Sequence, residues 1–344
     1  MQMPKNVLVT GGAGYIGSHT AVSLAENGYQ PIILDNFSNS SPEVIQALEQ
    51  ITQQEIKLYR GDCCQEDFVD QIFHENQIHA VIHFAASKAV GESVQNPLLY
   101  YHNNINSLLV LLKVMQKHEV KNLVFSSSCT IYGEPEMIPV TEQTPPQEAA
   151  SPYGNTKKIC EDILKDVVGS AEQLKVVSLR YFNPIGAHSS SLIGELPIGV
   201  PGNLVPFITQ TAAGIRDSVT IFGGDYDTRD GTCVRDYIHV MDLSTAHVEA
   251  LRYLESQSEQ TFYDVFNLGT GTGSTVLEMV KTFEEVNGVK VNYSVGPRRP
   301  GDVVRIYAAV DKAQNVLKWK TGKSIAEALK DAWSWQQQLM EHGK

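Results

Sequence analysis

Short apolar segments alternate with longer amphipathic ones over the first half of this 344-residue chain, and that alternation is the feature that most constrains the fold. The apolar segments are rich in β-branched residues and bounded by turn residues, which is typical of buried parallel strands. They cover residues 5–10, 31–35, 56–62, 79–85, 122–128 and 175–182. Helical patterns between them include 18–27, 42–50 and 97–118. The chain is therefore predicted to be an α/β protein with a doubly wound parallel sheet.

The regular alternation ends in a Gly/Pro-rich stretch from Asn183 to Asn203, where we place the main domain boundary. A later segment, F-Y-D-V-F-N-L-G at 262–269, again has the character of a buried strand that rejoins the first sheet. We therefore expect a first domain of residues 1–182 plus 236–267. The second, smaller α/β domain would comprise 183–235 plus 268–344.

Composition excludes several classes of protein. The formal net charge of -12 opposes nucleic-acid binding, which needs a basic surface. No apolar run reaches about 18 residues and the first ten residues lack a secretory pattern, so we expect a cytoplasmic protein without a membrane span. The five cysteines match neither a zinc site nor a disulfide framework, so we expect reduced thiols and no metal.

A glycine motif, V-L-V-T-G-G-A-G-Y-I-G, places Gly11, Gly14 and Gly17 directly after a predicted strand and at the start of a helix. Glycines there let the backbone approach a pyrophosphate at the helix N-terminus. The next strand ends in Asp35, whose carboxylate can accept hydrogen bonds from a ribose and would repel a 2′-phosphate. The motif predicts NAD rather than NADP binding; the alternative is a glycine turn that only packs strand against helix.

The segment S-P-Y-G-N-T-K runs from Ser151 to Lys157 and places Tyr153 four residues before Lys157. Residues four apart share a helix face, so the lysine ammonium is expected to lower the phenol pKa from about 10 toward neutrality, as a general base requires. Ser151 as N-cap and Pro152 at the first helical position favour a helix start here. With 14 tyrosines, on the order of one such spacing is expected by chance, so its context decides.

A serine triplet in F-S-S-S-C-T-I-Y-G places Ser126, Ser127 and Ser128 where a predicted strand reaches the carboxyl edge of the sheet. Ligands bind at that edge in open α/β folds. A serine hydroxyl there can hydrogen-bond a substrate hydroxyl while Tyr153 takes its proton. The alternative is that these hydroxyls only satisfy nearby backbone groups.

Several motifs occur together in order: the glycine pattern, H-F-A-A-S-K-A-V-G-E-S from His83, the serine triplet, Y-G-N-T-K, R-Y-F-N-P-I-G-A-H and V-R-D-Y-I-H-V-M-D-L. Together they resemble the extended short-chain dehydrogenase/reductase family, over about residues 5–335. The resemblance implies a Rossmann cofactor domain and, among the family's activities, reversible C4 epimerisation of UDP-galactose and UDP-glucose. The reaction would pass through a transient 4-keto sugar and use bound NAD, in galactose metabolism.

The resemblance also implies roles for particular residues. Tyr153 would be the catalytic base, Lys157 its partner that also holds the nicotinamide ribose, and Ser128 would lie beside the sugar 4-hydroxyl. The positions implied for NAD binding are Gly11, Gly14, Tyr15, Ile16, Gly17, Asp35, Asn36, Asp62, Cys63, Phe84, Ala85, Lys88, Asn103, Ser126, Tyr153, Lys157 and Tyr181. Those implied for the nucleotide sugar are Ser128, Tyr153, Asn183, Asn203, Leu204, Phe222, Arg235, Tyr237, Arg299, Asp302 and Ile306.

Arg235 and Arg299 suit a diphosphate because a guanidinium pairs bidentately with phosphate oxygens; their alternative role is a surface salt bridge. In the family, the side chain four positions after Asp302 is thought to govern access of N-acetylated sugars. Here it is Ile306, of intermediate size, so we expect simple hexoses. Relatives are commonly homodimers, and helices 97–118 and 153–169 are the candidates for the interface.

Two other functions compete with epimerisation. A nucleotide-sugar 4,6-dehydratase shares the fold and the Tyr/Lys pair, but its turn after the serine strand typically reads T-D-E. Here Ser128, Cys129 and Thr130 stand in place of T-D-E and offer no carboxylate for elimination. A sensor that binds NAD without turnover would be expected to have lost the pair of Tyr153 and Lys157, and both are present.

Overall fold

The computed structural model describes residues 4–170, 173–299 and 301–343. Its strands are β1 (Lys5–Thr10), β2 (Tyr29–Asp35), β3 (Lys57–Arg60), β4 (Ile78–His83), β5 (Asn122–Ser128), β6 (Lys175–Tyr181), β7 (Asn183–Ile185), β8 (Val219–Phe222), β9 (Val234–Arg235), β10 (Tyr237–His239), β11 (Phe262–Leu268), β12 (Ser274–Thr275), β13 (Tyr293–Gly296) and β14 (Arg305–Ile306). Its helices are α1 (Tyr15–Glu26), α2 (Glu43–Thr52), α3 (Glu66–Glu75), α4 (Val90–Gln95), α5 (Pro97–Lys117), α6 (Pro152–Gly169), α7 (Leu204–Ala212), α8 (Val240–Ser256), α9 (Val276–Asn287) and α10 (Ile325–Glu341).

Seven parallel strands form the main sheet in the order β11-β6-β5-β4-β1-β2-β3. This confirms the doubly wound sheet expected from the sequence. Strand order reverses between β1 and β4, because the chain runs outward from β1 to β3 and then returns to the other side of β1. Such a reversal opens a crevice at the carboxyl ends of the strands, where ligands bind in this architecture.

Alternating side chains of the strands build one core on each face of the sheet. On β1, Val7 and Val9 pack on the face covered by α1 and α8, whereas Leu8 packs on the face covered by α3, α5 and α6. All three side chains are fully buried, and each contributes about 1.5–3 kcal/mol relative to an exposed position. Because both faces are covered, the strands read as continuous apolar runs in the sequence.

The later part of the chain forms three small sheets, with orders β10-β7, β12-β9-β14 and β13-β8. The β10-β7 and β13-β8 sheets pack with α7, α9 and α10 around a separate core that includes Met279 and Phe283. Ile306 on β14 packs in another core with Ile131 and Phe182. Strand β11 returns to the main sheet, as its apolar pattern suggested. The proposed domain limits themselves stay a prediction, and within them residues 1–3, 171–172, 300 and 344 lie outside the described part. Across the described residues, no helix has the length and apolarity that crossing a bilayer requires.

Helix α1 begins at Tyr15, three residues before the predicted start. The reason is local: Gly14 adopts an extended conformation as N-cap, with φ -72° and ψ 174°, so the glycine motif itself forms the helix entrance. The strands of the small sheets are two to four residues long, too short to show a period in the sequence.

Candidate active site

The glycine turn after β1 lies against the turn after β4. Gly11 has φ +70°, and a side chain there would place its Cβ 2.8 Å from the backbone nitrogen of Ala85. A Cβ on Gly17 would lie 2.3 Å from the carbonyl oxygen of Gly11. The backbone nitrogen of Phe84 donates to the carbonyl of Thr10 at 2.9 Å, which fixes the spacing between the two turns. The turn therefore presents bare backbone at the crevice between β1 and β4.

The start of α1 is available to an anion. Its N-cap Gly14 has no side chain that could bond the first N–H groups, and the first turn carries no acidic residue. These N–H groups have no partner within a helix, and they lie at the positive end of the helix dipole. This arrangement fits the pyrophosphate of a dinucleotide.

Asp35, at the end of β2, is oriented toward the same turn. Its Oδ2 accepts a hydrogen bond from the Ala13 backbone at 3.0 Å, and its Oδ1 accepts from the Phe37 backbone at 2.9 Å and the Ser40 hydroxyl at 2.8 Å. A carboxylate offers about four lone-pair positions, so acceptor capacity remains for a ribose hydroxyl. The donor and acceptor set at this end of the crevice therefore fits NAD.

Other expected cofactor residues lie on the turns at the same edge of the sheet. Asp62 accepts a hydrogen bond from the Cys64 backbone at 2.8 Å, and the Cys64 thiol contacts the Asn103 carbonyl at 3.7 Å. The structure therefore brings Asp62 and Asn103 together. Asn36 follows Asp35 but is exposed, and its side chain accepts from the Ser38 backbone at 3.0 Å.

Tyr181, at the end of β6, is held by a histidine that the sequence motifs did not single out. The Tyr181 hydroxyl lies 2.5 Å from Nε2 of His247, whose Nδ1 lies 2.8 Å from the Leu243 carbonyl. Because a carbonyl only accepts, Nδ1 carries the hydrogen and Nε2 accepts from the tyrosine. Burial lowers the pKa of His247 to about 4, which keeps it neutral. The Phe84 ring packs on His247, with ring centres 4.8 Å apart.

Helix α6 begins as the sequence predicted. The Ser151 side chain accepts from the Gly154 backbone at 3.2 Å, and Pro152 occupies the first turn. From this helix, Lys157 reaches the end of β5, where its ammonium donates to the Ser126 carbonyl at 2.6 Å. It also lies 5.1 Å from the centre of the Phe125 ring. Burial lowers the pKa of Lys157 to about 8.

The expectation that Lys157 lowers the Tyr153 pKa is wrong for the protein chain by itself. Burial raises the pKa of Tyr153 to about 12, and a hydrogen bond from Ser128 offsets only part of that rise. The reason is the burial of the phenol, which the sequence spacing does not show, while the lysine ammonium donates to the Ser126 carbonyl. The protein groups therefore place the phenol but do not by themselves ionise it at neutral pH.

Ser128 is prepared to donate a hydrogen bond. Its hydroxyl oxygen accepts from the Thr130 backbone at 3.2 Å and from the Thr130 hydroxyl at 3.0 Å, as the cap of a 3-10 turn over Cys129–Tyr132. With its acceptor positions used in this way, the Ser128 hydrogen is free to point at the Tyr153 oxygen or at a substrate hydroxyl.

The expected nucleotide-sugar residues fall partly into one charged cluster. Asp302 lies 3.7 Å from the Arg235 guanidinium and 2.6 Å from that of Arg299. The Arg299 guanidinium also lies 5.7 Å from the centre of the Phe222 ring. The neighbouring Arg298 pairs with Asp225 instead, so the structure separates the two adjacent arginines.

A second group forms around Glu195, which the sequence analysis did not identify. Its carboxylate accepts from the Asn203 amide at 2.6 Å and lies 3.6 Å from the Lys88 ammonium. Asn203 is the N-cap of α7, and Leu204 is the first residue of that helix. Glu195 therefore contacts both Lys88, an expected cofactor residue, and Asn203, an expected sugar residue.

The remaining expected sugar residues lie on short strands of the small sheets. Asn183 on β7 pairs in register with Tyr237 on β10, and Ile306 on β14 pairs with Arg235 on β9. Tyr237 and Ile306 are both buried. Expected cofactor residue Tyr15 donates its hydroxyl hydrogen to the Gly186 carbonyl at 2.7 Å. Nowhere in the described ranges do three or more His, Cys, Asp or Glu side chains form a group suited to a metal ion.

Comparison with known proteins agrees with this geometry. Residues 8–332 match the family model described as GDP-mannose 4,6 dehydratase. The UDP-glucose 4-epimerase of Bacillus subtilis is 50% identical over 330 residues, which cover 96% of this chain and 96% of the relative. These matches define the class of protein, the extended short-chain dehydrogenases/reductases that modify nucleotide sugars.

Solved structures point to one branch of that class. UDP-glucose 4-epimerase from Bifidobacterium longum, in complex with NAD+ and UDP, superposes with a TM-score of 0.93 at 47% identity and covers 97% of this chain and 98% of its own. The enzyme from Stenotrophomonas maltophila, with bound NAD and formylated UDP-arabinopyranose, gives 0.95 at 44% identity and covers 98% and 99%. The chain belongs to the UDP-glucose 4-epimerase family.

Proposed function

We propose that this protein interconverts UDP-galactose and UDP-glucose by reversible oxidation at C4, with NAD that stays bound. The observation that carries the proposal is the placement of Tyr153, Lys157 and Ser128 at the carboxyl end of β5, on the sheet edge that also carries the glycine turn. This activity would place the protein in galactose metabolism.

Three side chains handle the proton. Tyr153 accepts the proton of the sugar 4-hydroxyl as the C4 carbon is oxidised, and it returns the proton when the carbon is reduced. Ser128 donates its one hydrogen either to the Tyr153 oxygen, which favours the phenolate, or to the sugar oxygen. Lys157, fixed on the Ser126 carbonyl, keeps a positive charge beside the phenol below its pKa of about 8.

The glycine turn, the start of α1 and Asp35 would hold NAD. When bound, NAD supplies the acceptor for the hydride of C4 and, in its oxidised form, a positive charge that favours the phenolate. Arg235 and Arg299 bind the diphosphate of the sugar nucleotide. With the diphosphate anchored, the 4-keto sugar can turn over and present its other face to the same side chains.

The name of the matching family model raises the dehydratase alternative again. Elimination of water needs an acid and a base near C5 and C6, and dehydratases typically place carboxylates in the turn after the serine strand. Here that turn holds Cys129 and Thr130, which offer no carboxylate, and the Thr130 backbone and hydroxyl both donate to Ser128. The side chains present support oxidation and reduction at C4 without elimination.

The first test uses the purified protein with UDP-galactose and no added NAD, followed by NMR of the anomeric sugar signals. We expect UDP-glucose to appear and the mixture to reach a steady ratio, because the cofactor is resident. A 4-keto-6-deoxy product would identify a dehydratase instead. If no product forms even after NAD is added, the protein acts on a different sugar or is a sensor.

We also propose a homodimer in the cytoplasm. Val94 on α4 is 63% exposed and Leu98 on α5 is 81% exposed, with other exposed apolar residues beside them, and such a surface favours association. Helix α5 is one of the two candidate interface helices. The free thiols of the cysteines support a reducing compartment. Light scattering of the wild type and of Leu98→Asp tests the dimer, and we expect the variant to be monomeric.

A further inference from the structure

A buried ion pair lies directly behind the residues proposed to carry the reaction. Arg180 donates from Nη2 to Oε2 of Glu161 at 2.6 Å and from Nε to Oε1 at 2.9 Å. The two side chains are 4% and 2% exposed, so the pair is shielded from water. A bidentate pair of this kind fixes both the distance and the relative orientation of its partners.

Further hydrogen bonds extend this pair to three neighbouring strands. The Ser127 hydroxyl on β5 donates to Oε1 of Glu161 at 2.6 Å. Arg180, on β6, donates from Nη1 to the Tyr132 hydroxyl at 2.8 Å, and Tyr132 donates in turn to the side chain of Asn267 on β11 at 2.6 Å. Helix α6, which carries Glu161, is therefore fastened to β5, β6 and β11 through one set of polar contacts, which we call the Glu161 clamp.

The clamp shares its helix with the proposed catalytic pair. Glu161 follows Lys157 by four residues and Tyr153 by eight, so all three lie along one side of α6. Since α6 meets the sheet at the clamp, a rotation or shift of the helix there moves Tyr153 and Lys157 with it.

The clamp also shares its strands with the reaction site. Successive side chains of a strand point to opposite faces. Ser127 lies between Ser126 and Ser128, and Arg180 precedes Tyr181, which contacts His247 on the other face. The clamp therefore holds β5 and β6 on the face toward α6, opposite to the face to which Ser126, Ser128 and Tyr181 point.

Stability alone does not account for such a pair. Removing two charges from water is expensive, and well-packed apolar residues in place of a buried ion pair are often equally stable or more stable. What an apolar contact lacks is a fixed direction. We propose that Glu161 and Arg180 are positioning residues, which hold α6 in the register at which Tyr153 meets Ser128 and Lys157 meets the Ser126 carbonyl. This inference rests on the proposed epimerase function.

The test compares variants that separate stability from position. Glu161→Gln keeps the size of the side chain and removes its charge, and the double variant Glu161→Leu/Arg180→Met replaces the pair by apolar side chains. The matched control is Ser23→Ala, which removes a buried hydrogen bond of 2.7 Å to Ser244 between α1 and α8, away from the reaction site. Each protein is measured for kcat and KM with UDP-galactose, the pH profile of kcat and the thermal unfolding midpoint.

For Glu161→Gln we expect kcat to fall about tenfold or more, with KM within about twofold, because a displacement of about 1 Å can cost on the order of 100-fold in rate. The lower limb of the pH profile should move to higher pH, since the hydrogen bond from Ser128 to Tyr153 weakens. The double variant should regain an unfolding midpoint near that of the wild type and keep the low kcat. Ser23→Ala should leave kcat and the pH profile unchanged.

The proposal is overturned if the double variant recovers kcat together with stability, or if Glu161→Gln lowers the unfolding midpoint without changing kcat or the pH profile. If the double variant does not fold, Ser127→Ala tests the proposal instead, because it removes only the hydrogen bond between β5 and Glu161. We expect its kcat to fall several-fold, and an unchanged kcat would overturn the proposal. A wild-type protein that does not convert UDP-galactose would refute the epimerase function itself, and these outcomes do not overlap.

Discussion

The two ends of the proposed active site are built differently. At the proton-transfer end, Lys157 and Ser128 lie buried on a long helix and a seven-residue strand in the middle of the main sheet. At the diphosphate end, Phe222 is 43% exposed and the Arg299 side chain 58% exposed, on or beside strands of two to four residues. The first end is embedded in two cores, and the second lies on small sheets at the surface.

This difference follows from what each end does. Proton transfer requires a base within about 3 Å of the proton it removes, so its groups must be held by rigid elements. A diphosphate is bound mainly through charge, which tolerates small displacements of a flexible guanidinium. Mutations at the proton-transfer end should therefore lower kcat, whereas mutations at the diphosphate end should raise KM.

The largest effect is expected for Tyr153→Phe, which removes the proton acceptor and keeps the ring. We expect kcat to fall by about 100-fold to 10,000-fold with NAD retained. Conversion of UDP-galactose followed by NMR measures kcat, and the absorbance of released cofactor measures retention. Tyr101→Phe is the matched control, since the Tyr101 hydroxyl on α5 accepts a hydrogen bond at 2.6 Å from Asn155, two residues after Tyr153 on α6. Normal turnover in Tyr153→Phe would show that Tyr153 is not the proton acceptor and that the buried end does not control kcat.

The next largest effect is expected at the diphosphate end, where variants of three arginines are compared. Arg235→Met should raise KM for UDP-galactose by about 10-fold to 100-fold, since hydrogen bonds to charged groups contribute about 1.5–3 kcal/mol. Arg299→Met should raise it less because that side chain is more exposed, and Arg298→Met should change it by less than about twofold because Asp225 holds Arg298. Steady-state kinetics and calorimetric titration with UDP measure the series. Equal effects at Arg298 and Arg235 would contradict the assignment of the cluster.

The lowered pKa of buried Lys157, at the proton-transfer end, makes the stability of the protein depend on pH. The pKa of Lys157 is about 8 in the folded protein and near 10.5 when the chain unfolds, so between these values the unfolded chain binds more protons and the stability rises with pH. Lys157→Met removes the buried charge, and we expect it to be more stable than the wild type by on the order of 3 kcal/mol at pH 7. That advantage should shrink as the pH rises from 8 to 10.5.

Urea denaturation at pH 7 and pH 10 measures the Lys157 effect, and kcat of the same variant should be strongly reduced. The exposed Lys113 supplies the control, because Lys113→Met should change the free energy of unfolding by less than about 0.5 kcal/mol at either pH. An advantage for Lys157→Met that does not depend on pH would show that the buried charge is not its source.

The smallest effect concerns the choice of sugar. Ile306 is 5% exposed and packs with Ile131, Tyr132 and Phe182 behind the site. Ile306→Ala should enlarge the pocket and raise the rate with UDP-N-acetylgalactosamine several-fold, since a single methylene group in an apolar pocket alters discrimination by about 1–3 kcal/mol. The rate with UDP-galactose should stay within about threefold. If the wild type already converts both sugars equally fast, Ile306 does not restrict the pocket.

The sequence predicted the main sheet and the proton-transfer end well, because there the hydrophobic periodicity and the local capping residues indicate the same elements. β1 and β5 have the bounds expected from their apolar runs, and Ser151 with Pro152 marked the start of α6. Glu161, Glu195 and His247 escaped notice because their roles arise from partners 19, 8 and 66 residues away. Only the spacing of Glu161 four residues after Lys157 offered a signal. The Tyr153 pKa was misjudged because burial cannot be read from a spacing.

The late return of β11 to the sheet has a consequence for the order in which the protein is made. β6 is completed about 80 residues before β11, and synthesis at about 5–20 residues per second leaves that edge of the sheet unpaired for roughly 4 to 16 seconds. Asn267, which receives the Tyr132 hydrogen bond, arrives only with β11. A nascent chain emerging from the ribosome therefore carries an open strand edge, the surface that invites pairing with other chains and that chaperones must cover.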